Sequence, residues 1–230
     1  MSRLLWCVVP AAGRGTRMGA DCPKQYLPLA GKPLIVHTLE RLAAHPRIAG
    51  LLVVLGAQDE HWPGITALHG KQVSTAVGGA ERSDSVLAGL DALPSEVGDG
   101  DFVLVHDAAR PCVREADITR LVDRAAQADG GLLGAPLRDT LKRADEDGHS
   151  LATEPREQRW RAFTPQMFRR GELVSALRAV ALDGRPVSDE AMAMELAGFR
   201  PLLVEGAEDN IKVTTAADLA LAEFLLARTA

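Results

Sequence analysis

No apolar run in the 230 residues approaches the roughly 20 needed to cross a bilayer, so a membrane span is not expected. Cysteine is scarce. Cys7, Cys22 and Cys112 are odd in number, scattered and without C-x-x-C spacing, which suggests neither a disulfide framework nor a zinc site. A basic excess is also missing: the formal net charge is -5, a field that does not favour a long polyanion. With only nine aromatic residues (three Trp, one Tyr, five Phe) and no basic stripe among them, nucleic acid is not an expected partner. No internal repeat or low-complexity tract is visible. The opening MSRLLWCVVPAAG carries no signal-peptide cleavage pattern, and a cytoplasmic location is the expectation.

What is present suits a folded α/β protein. Hydrophobic residues make up 47% of the chain, enough for an ordinary core. Leu4 to Val9 is a short unbroken apolar run ending in a Gly-rich loop, the pattern of a strand buried on both faces of a parallel sheet. Similar runs lie at Gly50 to Leu55, Phe102 to Val105, Gly131 to Ala135 and Pro201 to Val204. Between them, helical spacing marks Pro33 to Ala44, Ser83 to Ala92, Ala116 to Ala128, Gly171 to Asp183, Ser188 to Ala197 and Thr215 to Ala227. Pro33 suits a first helical turn, and Thr215 with Asp218 has capping-box spacing. Such alternation predicts a single domain over residues 1–230, built on a doubly wound, mostly parallel twisted sheet.

One segment breaks the pattern. Residues 137–161 are polar and charge-rich, with a turn signal at Asp147-Gly148 and little apolar surface for their own core. They read as a projecting β-arm, either a solvated hairpin or an element that docks on a second copy, which makes a homodimer the expected assembly.

The strongest chemical signal follows the first strand: Pro10-Ala11-Ala12-Gly13-Arg14-Gly15-Thr16-Arg17-Met18-Gly19, then Pro23-Lys24-Gln25 and Gly31-Lys32-Pro33. Glycines such as Gly13 and Gly15 let backbone N–H groups approach phosphate oxygens, and Arg17 and Lys24 supply positive charge against a polyphosphate. Two familiar phosphate loops do not fit. Gly13, Gly15 and Gly19 are spaced one residue too long for G-x-G-x-x-G, and no Gly-Lys-Ser/Thr follows as in a Walker loop. Asp107, at the end of an expected buried strand, lies where open α/β sheets place ligands, though an Asp there can instead cap a turn. As a carboxylate beside phosphates it is the expected ligand for Mg²⁺.

The loop, Pro23-Lys24-Gln25 and Gly31-Lys32-Pro33 together resemble nucleotidyltransferases of a GT-A-like, Rossmann-related fold. Six later motifs occur in order: Gly78-Gly79-Ala80-Glu81-Arg82-Ser83-Asp84-Ser85-Val86, Val105-His106-Asp107-Ala108-Ala109-Arg110-Pro111, Arg138-Asp139-Thr140-Leu141-Lys142, Thr164-Pro165-Gln166, Ser188-Asp189-Glu190 and Asp209-Asn210-Ile211-Lys212-Val213-Thr214. With them the resemblance narrows to the 2-C-methyl-D-erythritol 4-phosphate cytidylyltransferase family and runs from about Leu4 to Leu226. Little chain follows, so a stand-alone enzyme without a fused cyclodiphosphate synthase domain is expected.

The resemblance implies that CMP passes from CTP to a small sugar-alcohol phosphate, with pyrophosphate leaving. Arg17 and Lys24 would then hold the triphosphate. Pro10, Ala11, Ala12, Gly13, Gly15, Gly79, Arg82, Ser85 and Asp107 would form the nucleotide pocket. Arg110, Thr140, Arg156, Thr164 and Lys212 would meet the acceptor, with Arg156 and Lys212 positioning its phosphate and the arm residues Thr140 and Arg156 coming from a partner subunit. His106 reads as structural, because the attacking oxygen is already ionised and no step requires a base. Ser188-Asp189-Glu190 reads as a helix start with acidic first-turn residues, with a second-metal or substrate role as the alternative. Arg169 and Arg170 read as solvated charges. Two other functions use the same residues: a ribitol 5-phosphate (pentitol phosphate) cytidylyltransferase, and a sensor that binds CTP without turnover.

Overall fold

In the computed structural model, residues 5–13 and 22–228 are described. The strands are β1 (Leu5–Pro10), β2 (Pro28–Leu29), β3 (Lys32–Pro33), β4 (Ile48–Leu55), β5 (Ala67–Leu68), β6 (Lys71–Val77), β7 (Phe102–Val105), β8 (Gly131–Pro136), β9 (Leu141–Ala144), β10 (Ser150–Glu154), β11 (Trp160–Arg169) and β12 (Leu202–Glu205). The helices are α1 (Leu34–Ala44), α2 (Arg82–Asp91), α3 (Glu115–Ala125), α4 (Arg170–Leu182), α5 (Glu190–Leu196) and α6 (Ala216–Arg228). Every expected strand and helix is present within a few residues of its expected ends.

Eight strands form one sheet in the order β12-β8-β11-β7-β1-β4-β6-β5. Neighbours β7, β1, β4 and β6 run parallel, as do β8 and β12, while β11 lies antiparallel between β8 and β7, and β5 lies antiparallel to β6 at the edge. The apolar runs are explained by what covers them. Cys7 and Val9 of β1 enter the core on one face with Leu51 and Val53 of β4, packed by Ile35, Leu39, Ile118 and Leu121 of α1 and α3. Trp6, Val8, Leu52 and Val54 enter the other with Val86 and Leu90 of α2 and Leu173 and Leu177 of α4. A strand covered on both sides has no polar face to alternate with.

Besides the two-residue strands β2, β3 and β5, two longer strands, β6 and β11, were not expected. In β6 only Val73 is buried, so no apolar run marks it; its polar residues lie near the sheet edge. β11 contains Pro165, which argues against an interior strand, yet the β8–β11 ladder shifts register between Ala162 and Gln166 and so leaves room for it. This strand also corrects the arm. Trp160 and Arg161, expected within it, pair with Pro136 and Ala135 of β8 in the main sheet. What stands apart is the two-stranded β9–β10 sheet, with a turn closed by Asp145 N–H donating to the His149 carbonyl.

The helix ends follow local chemistry. Thr215 and Asp218 form the expected reciprocal cap on α6: Asp218 N–H donates to Thr215 Oγ1 (3.2 Å) and Thr215 N–H to Asp218 Oδ2 (2.8 Å). Arg169 and Arg170, expected as solvated, are instead engaged. Arg170 donates to the Leu90 carbonyl and to Asp99, and Arg169 lies 4.4 Å from the Phe102 ring centroid.

Gly130, between α3 and β8, has φ +85°, and a Cβ there would sit 2.4 Å from the Met167 carbonyl oxygen. Neither constraint yields cheaply, since one is the residue's own backbone and the other that of β11. Gly130→Ala should therefore lower stability by about 2 kcal/mol or more in urea unfolding; a change within about 0.5 kcal/mol would show that this junction relaxes freely.

Candidate active site

The carboxyl ends of β1, β6 and β7 open onto one cleft, the edge where α/β sheets hold ligands. Pro10, Ala11, Ala12 and Gly13 follow β1 along one wall; Gly79, Arg82 and Ser85 form another; Asp107 lies at the base, and Lys24 and Lys212 complete the lining. Gln25 fixes the first wall, its Nε2 donating to the carbonyls of Ala11 (2.6 Å) and Gly13 (3.1 Å). Gly78 allows the walls to approach: a Cβ there would lie 2.7 Å from both Ala12 Cβ and Ser85 Oγ. A narrow cleft walled by small residues suits a flat ring.

Asp107 dominates the electrostatics. Its side chain is 9% exposed, and three cations surround it: Arg82 Nε at 3.1 Å, Lys212 Nζ at 3.0 Å and Arg110 Nε at 3.4 Å. Burial works against its charge, but Arg82, Lys212 and Arg110 together hold the carboxyl well below the usual range, so it is ionised. Arg82 is shared. Its Nη1 and Nη2 donate to the two oxygens of Glu190 at 2.5 and 3.1 Å, and Glu190 is 1% exposed. Burial opposes the guanidinium charge, and Glu190 and Asp107 more than restore it.

Beneath Asp107 lies a buried hydrogen-bond network. His106 Nε2 lies 3.1 Å from the Arg110 carbonyl, which can only accept, so Nε2 carries the proton. Burial pushes the His106 pKa down to about 4, so the ring is neutral and Nδ1 accepts from Thr164 Oγ1 at 3.0 Å. Thr164 Oγ1 in turn accepts from Asp107 N–H (3.0 Å). Asn210 donates from Nδ2 to the Thr164 carbonyl, and its own backbone carbonyl accepts from Arg110 Nη1 at 2.7 Å. Lys24 Nζ donates to the Val213 carbonyl (3.1 Å), which ties the short helical turn Lys24–Tyr26 to the segment carrying Lys212.

The structure thus gathers Pro10, Ala11, Ala12, Gly13, Lys24, Gly79, Arg82, Ser85, Asp107 and Lys212 at one cleft. Gly15 and Arg17 lie outside the described residues. Arg110 and Thr164, expected at the acceptor, are turned inward: both are buried, and their polar groups bond Asp107, Asn210 and His106. They hold the carboxylate's loop. Thr140 and Arg156 are exposed and do not line the cleft of their own chain; the Arg156 guanidinium bonds the Arg138 carbonyl. Glu190 is the partner that the sequence left open, because a Glu after Asp189 looks like any acidic first turn. Asp189 does cap α5, accepting from Met192 N–H, while Glu190 turns into the site.

The residues present fit Mg²⁺ held mainly by substrate. Among the described residues no three carboxylate, imidazole or thiol groups gather to enclose a metal. Glu81 also lines the cleft, but its side chain accepts from the Asp84 backbone in the cap of α2. Among the described residues, Asp107 offers an ionised carboxylate at the base of the cleft, and Mg²⁺ commonly takes one or two such ligands together with phosphate oxygens.

Against this geometry, similarity to known proteins is extensive. Residues 5–228 match the family model described as 2-C-methyl-D-erythritol 4-phosphate cytidylyltransferase. Enzymes of that name from Stenotrophomonas maltophilia (strain R551-3) and Xanthomonas campestris pv. campestris (strain 8004) are each 58% identical. The first alignment covers 100% of both chains, and the second 99% of this chain and 86% of the relative. A crystal structure of 4-diphosphocytidyl-2C-methyl-D-erythritol synthase superposes with TM-score 0.85 at 33% identity, covering 98% of this chain and 100% of its own. The cytidylyltransferase from Thermus thermophilus does so with TM-score 0.80 at 32% identity, over 98% and 99%.

The neutral His106 makes stability depend on pH. Its folded pKa of about 4 lies below the ordinary 6.5, so between those values the unfolded chain binds more protons and stability falls as pH falls. The loss attributable to this ring approaches about 3 kcal/mol at pH 4. His37 and His45, also lowered by burial, act in the same direction. Urea unfolding at pH 7 and pH 4.5 should show a clearly smaller pH-dependent loss for His106→Gln than for the wild type. Equal losses would mean the ring protonates in place.

Proposed function

The chain belongs to the 2-C-methyl-D-erythritol 4-phosphate cytidylyltransferase family, and from that premise we propose how its residues divide the reaction. It transfers CMP from CTP to 2-C-methyl-D-erythritol 4-phosphate, giving 4-diphosphocytidyl-2-C-methyl-D-erythritol and pyrophosphate in isoprenoid precursor synthesis. An oxygen of the acceptor phosphate attacks the α-phosphorus of CTP, and the bond from that phosphorus to the bridging oxygen of the β-phosphate breaks. The nucleophile is already ionised. Catalysis therefore needs in-line positioning and neutralisation of charge rather than a general base.

The observation that supports this division is the line of charges at the strand ends: Lys24 and Lys212 beside an ionised Asp107, with small residues opposite. Lys24, together with Arg17, binds the triphosphate and stabilises the charge that builds on the α-phosphate and leaving pyrophosphate. Lys212 sits between Asp107 and the acceptor phosphate. The backbone of residues 10–13, with Gly79 and Ser85, surrounds the cytidine, where hydrogen bonds matched to its amino group and carbonyl discriminate against uracil. Mg²⁺ is the cofactor in this reading, held by Asp107 and phosphate oxygens, and it supplies charge neutralisation at the reacting phosphates.

The acceptor side completes itself between two subunits. The β9–β10 hairpin docks on a second copy, and Thr140 and Arg156 reach the acceptor there, which accounts for their distance from the cleft of their own chain. The enzyme works in the cytoplasm as a homodimer. No described helix is long and apolar enough to cross a membrane.

Pyrophosphate release tests the substrates: it should be fast only with CTP, Mg²⁺ and 2-C-methyl-D-erythritol 4-phosphate, and slow with ribitol 5-phosphate or with ATP, GTP or UTP. Release with ribitol 5-phosphate alone would keep the chemistry and change the acceptor, and CTP binding without any release would leave a sensor. For the shared site, Lys24→Ala and Arg156→Ala homodimers should each be nearly inactive, while a mixture should recover up to about a quarter of wild-type activity through hybrid dimers that carry one intact site. No recovery, with subunit exchange verified by mass spectrometry, would place Arg156 outside the site.

A further inference from the structure

The Ser188-Asp189-Glu190 motif is not used by the chemistry above, yet it puts the most buried carboxylate of the site, at 1% exposure, onto Arg82. We propose that Glu190 is a positioning residue for nucleotide binding: it fixes the plane of the Arg82 guanidinium so that Arg82 Nε holds Asp107 while its remaining N–H groups face CTP. This rests on the function proposed above.

The geometry constrains Arg82 tightly. A guanidinium has five N–H donors in one rigid plane. Glu190 takes one from Nη1 and one from Nη2, and Asp107 takes the one on Nε, so three bonds to two carboxylates define the plane. Two N–H groups are left on a side chain that is 27% exposed and lines the cleft. Without Glu190, the bond to Asp107 would remain and the plane would be free to turn about it.

Glu190 is itself held from behind. Gln166, on the central antiparallel strand β11, accepts from Ala191 N–H through Oε1 (2.8 Å) and donates through Nε2 to Asp189 Oδ2 (2.9 Å). One amide thus clamps the first turn of α5 to the sheet. The order of support runs from β11 through α5 and Glu190 to Arg82 and then Asp107. A carboxylate placed only to balance charge would need no such clamp and no bidentate contact, because a single bond supplies the same charge.

The test compares wild type, Glu190→Gln and Glu190→Asp. Steady-state kinetics would be run on both substrates, CTP affinity measured by calorimetry without acceptor, and folding followed by near-UV circular dichroism. In folded Glu190→Gln, CTP affinity and kcat/KM for CTP should fall by roughly ten- to a hundredfold, the usual loss on removing such an outer contact. KM for the acceptor should change less than about threefold, since the Arg82–Asp107 bond remains and Asp107 still holds Lys212. Glu190→Asp, which keeps the charge, should recover part of the CTP loss. Unchanged CTP affinity in folded Glu190→Gln, or equal losses on both substrates, would overturn the proposal. So would failure of both variants to fold, which would make Glu190 a residue of stability alone. Absence of turnover in the wild type would instead sink the proposed function.

Discussion

Everything at the site depends on keeping one carboxylate charged where water is scarce. Asp107 is almost buried, and an unpaired carboxylate there would take a proton rather than stay ionised. Arg82, Arg110 and Lys212 prevent this, and they come from three separate parts of the chain. Breaking one buried ion pair by removing a partner typically costs about 3–5 kcal/mol, whereas replacing the whole cluster with apolar residues is often neutral. Such a cluster is poorly explained by stability. It is well explained by a ligand with several negative charges, which meets cations already oriented by the carboxylate.

The fold makes that concentration of charge possible. A mostly parallel sheet sends successive strand ends to the same edge, so residues 10–13, 78–85 and 107–110 converge although long crossovers separate them in sequence. The antiparallel β11 adds what parallel strands do not. It carries Thr164, which holds the Asp107 backbone, and Gln166, which holds α5, on one strand between β8 and β7. The segment 209–213 closes the site by bonding to both sides, Asn210 to Thr164 and Val213 N–H to the Ala109 carbonyl. Lys212 lies between those two anchors.

Much of this was legible in the sequence, and the rest was hidden for identifiable reasons. β1, β4 and β7 showed as apolar runs because helices cover both their faces; β6 is polar beside the edge strand β5 and β11 carries a proline, so neither followed the pattern. Asp107 was readable from its place at a strand end, and Lys24 and Lys212 from family motifs. The direction of a side chain was not readable. Arg110 and Thr164 belong to the right motifs but turn inward, where Arg110 donates to the Asn210 carbonyl beside Asp107 and Thr164 bonds His106 and the Asp107 N–H. Glu190 was hidden differently, because a bidentate contact across 108 residues leaves no local trace.

The β9–β10 hairpin is the element on which the proposed dimer rests. A lone two-stranded ribbon is only marginally stable in water, and this one leaves Leu141 and Leu151 exposed. Its base is nevertheless aimed, since Arg138 and Arg161 both pair with Glu208, two residues before Asn210. The same stretch of chain that seats Lys212 therefore sets the direction of the arm. A second copy covering the hairpin would remedy both its exposed leucines and the lack of Thr140 and Arg156 at the cleft, and it would fix the arm through Glu208 to the segment where the acceptor phosphate is proposed to bind. Assembly and acceptor binding would then be coupled through one short segment, so a substitution at Glu208 should disturb both together while leaving the nucleotide side largely untouched.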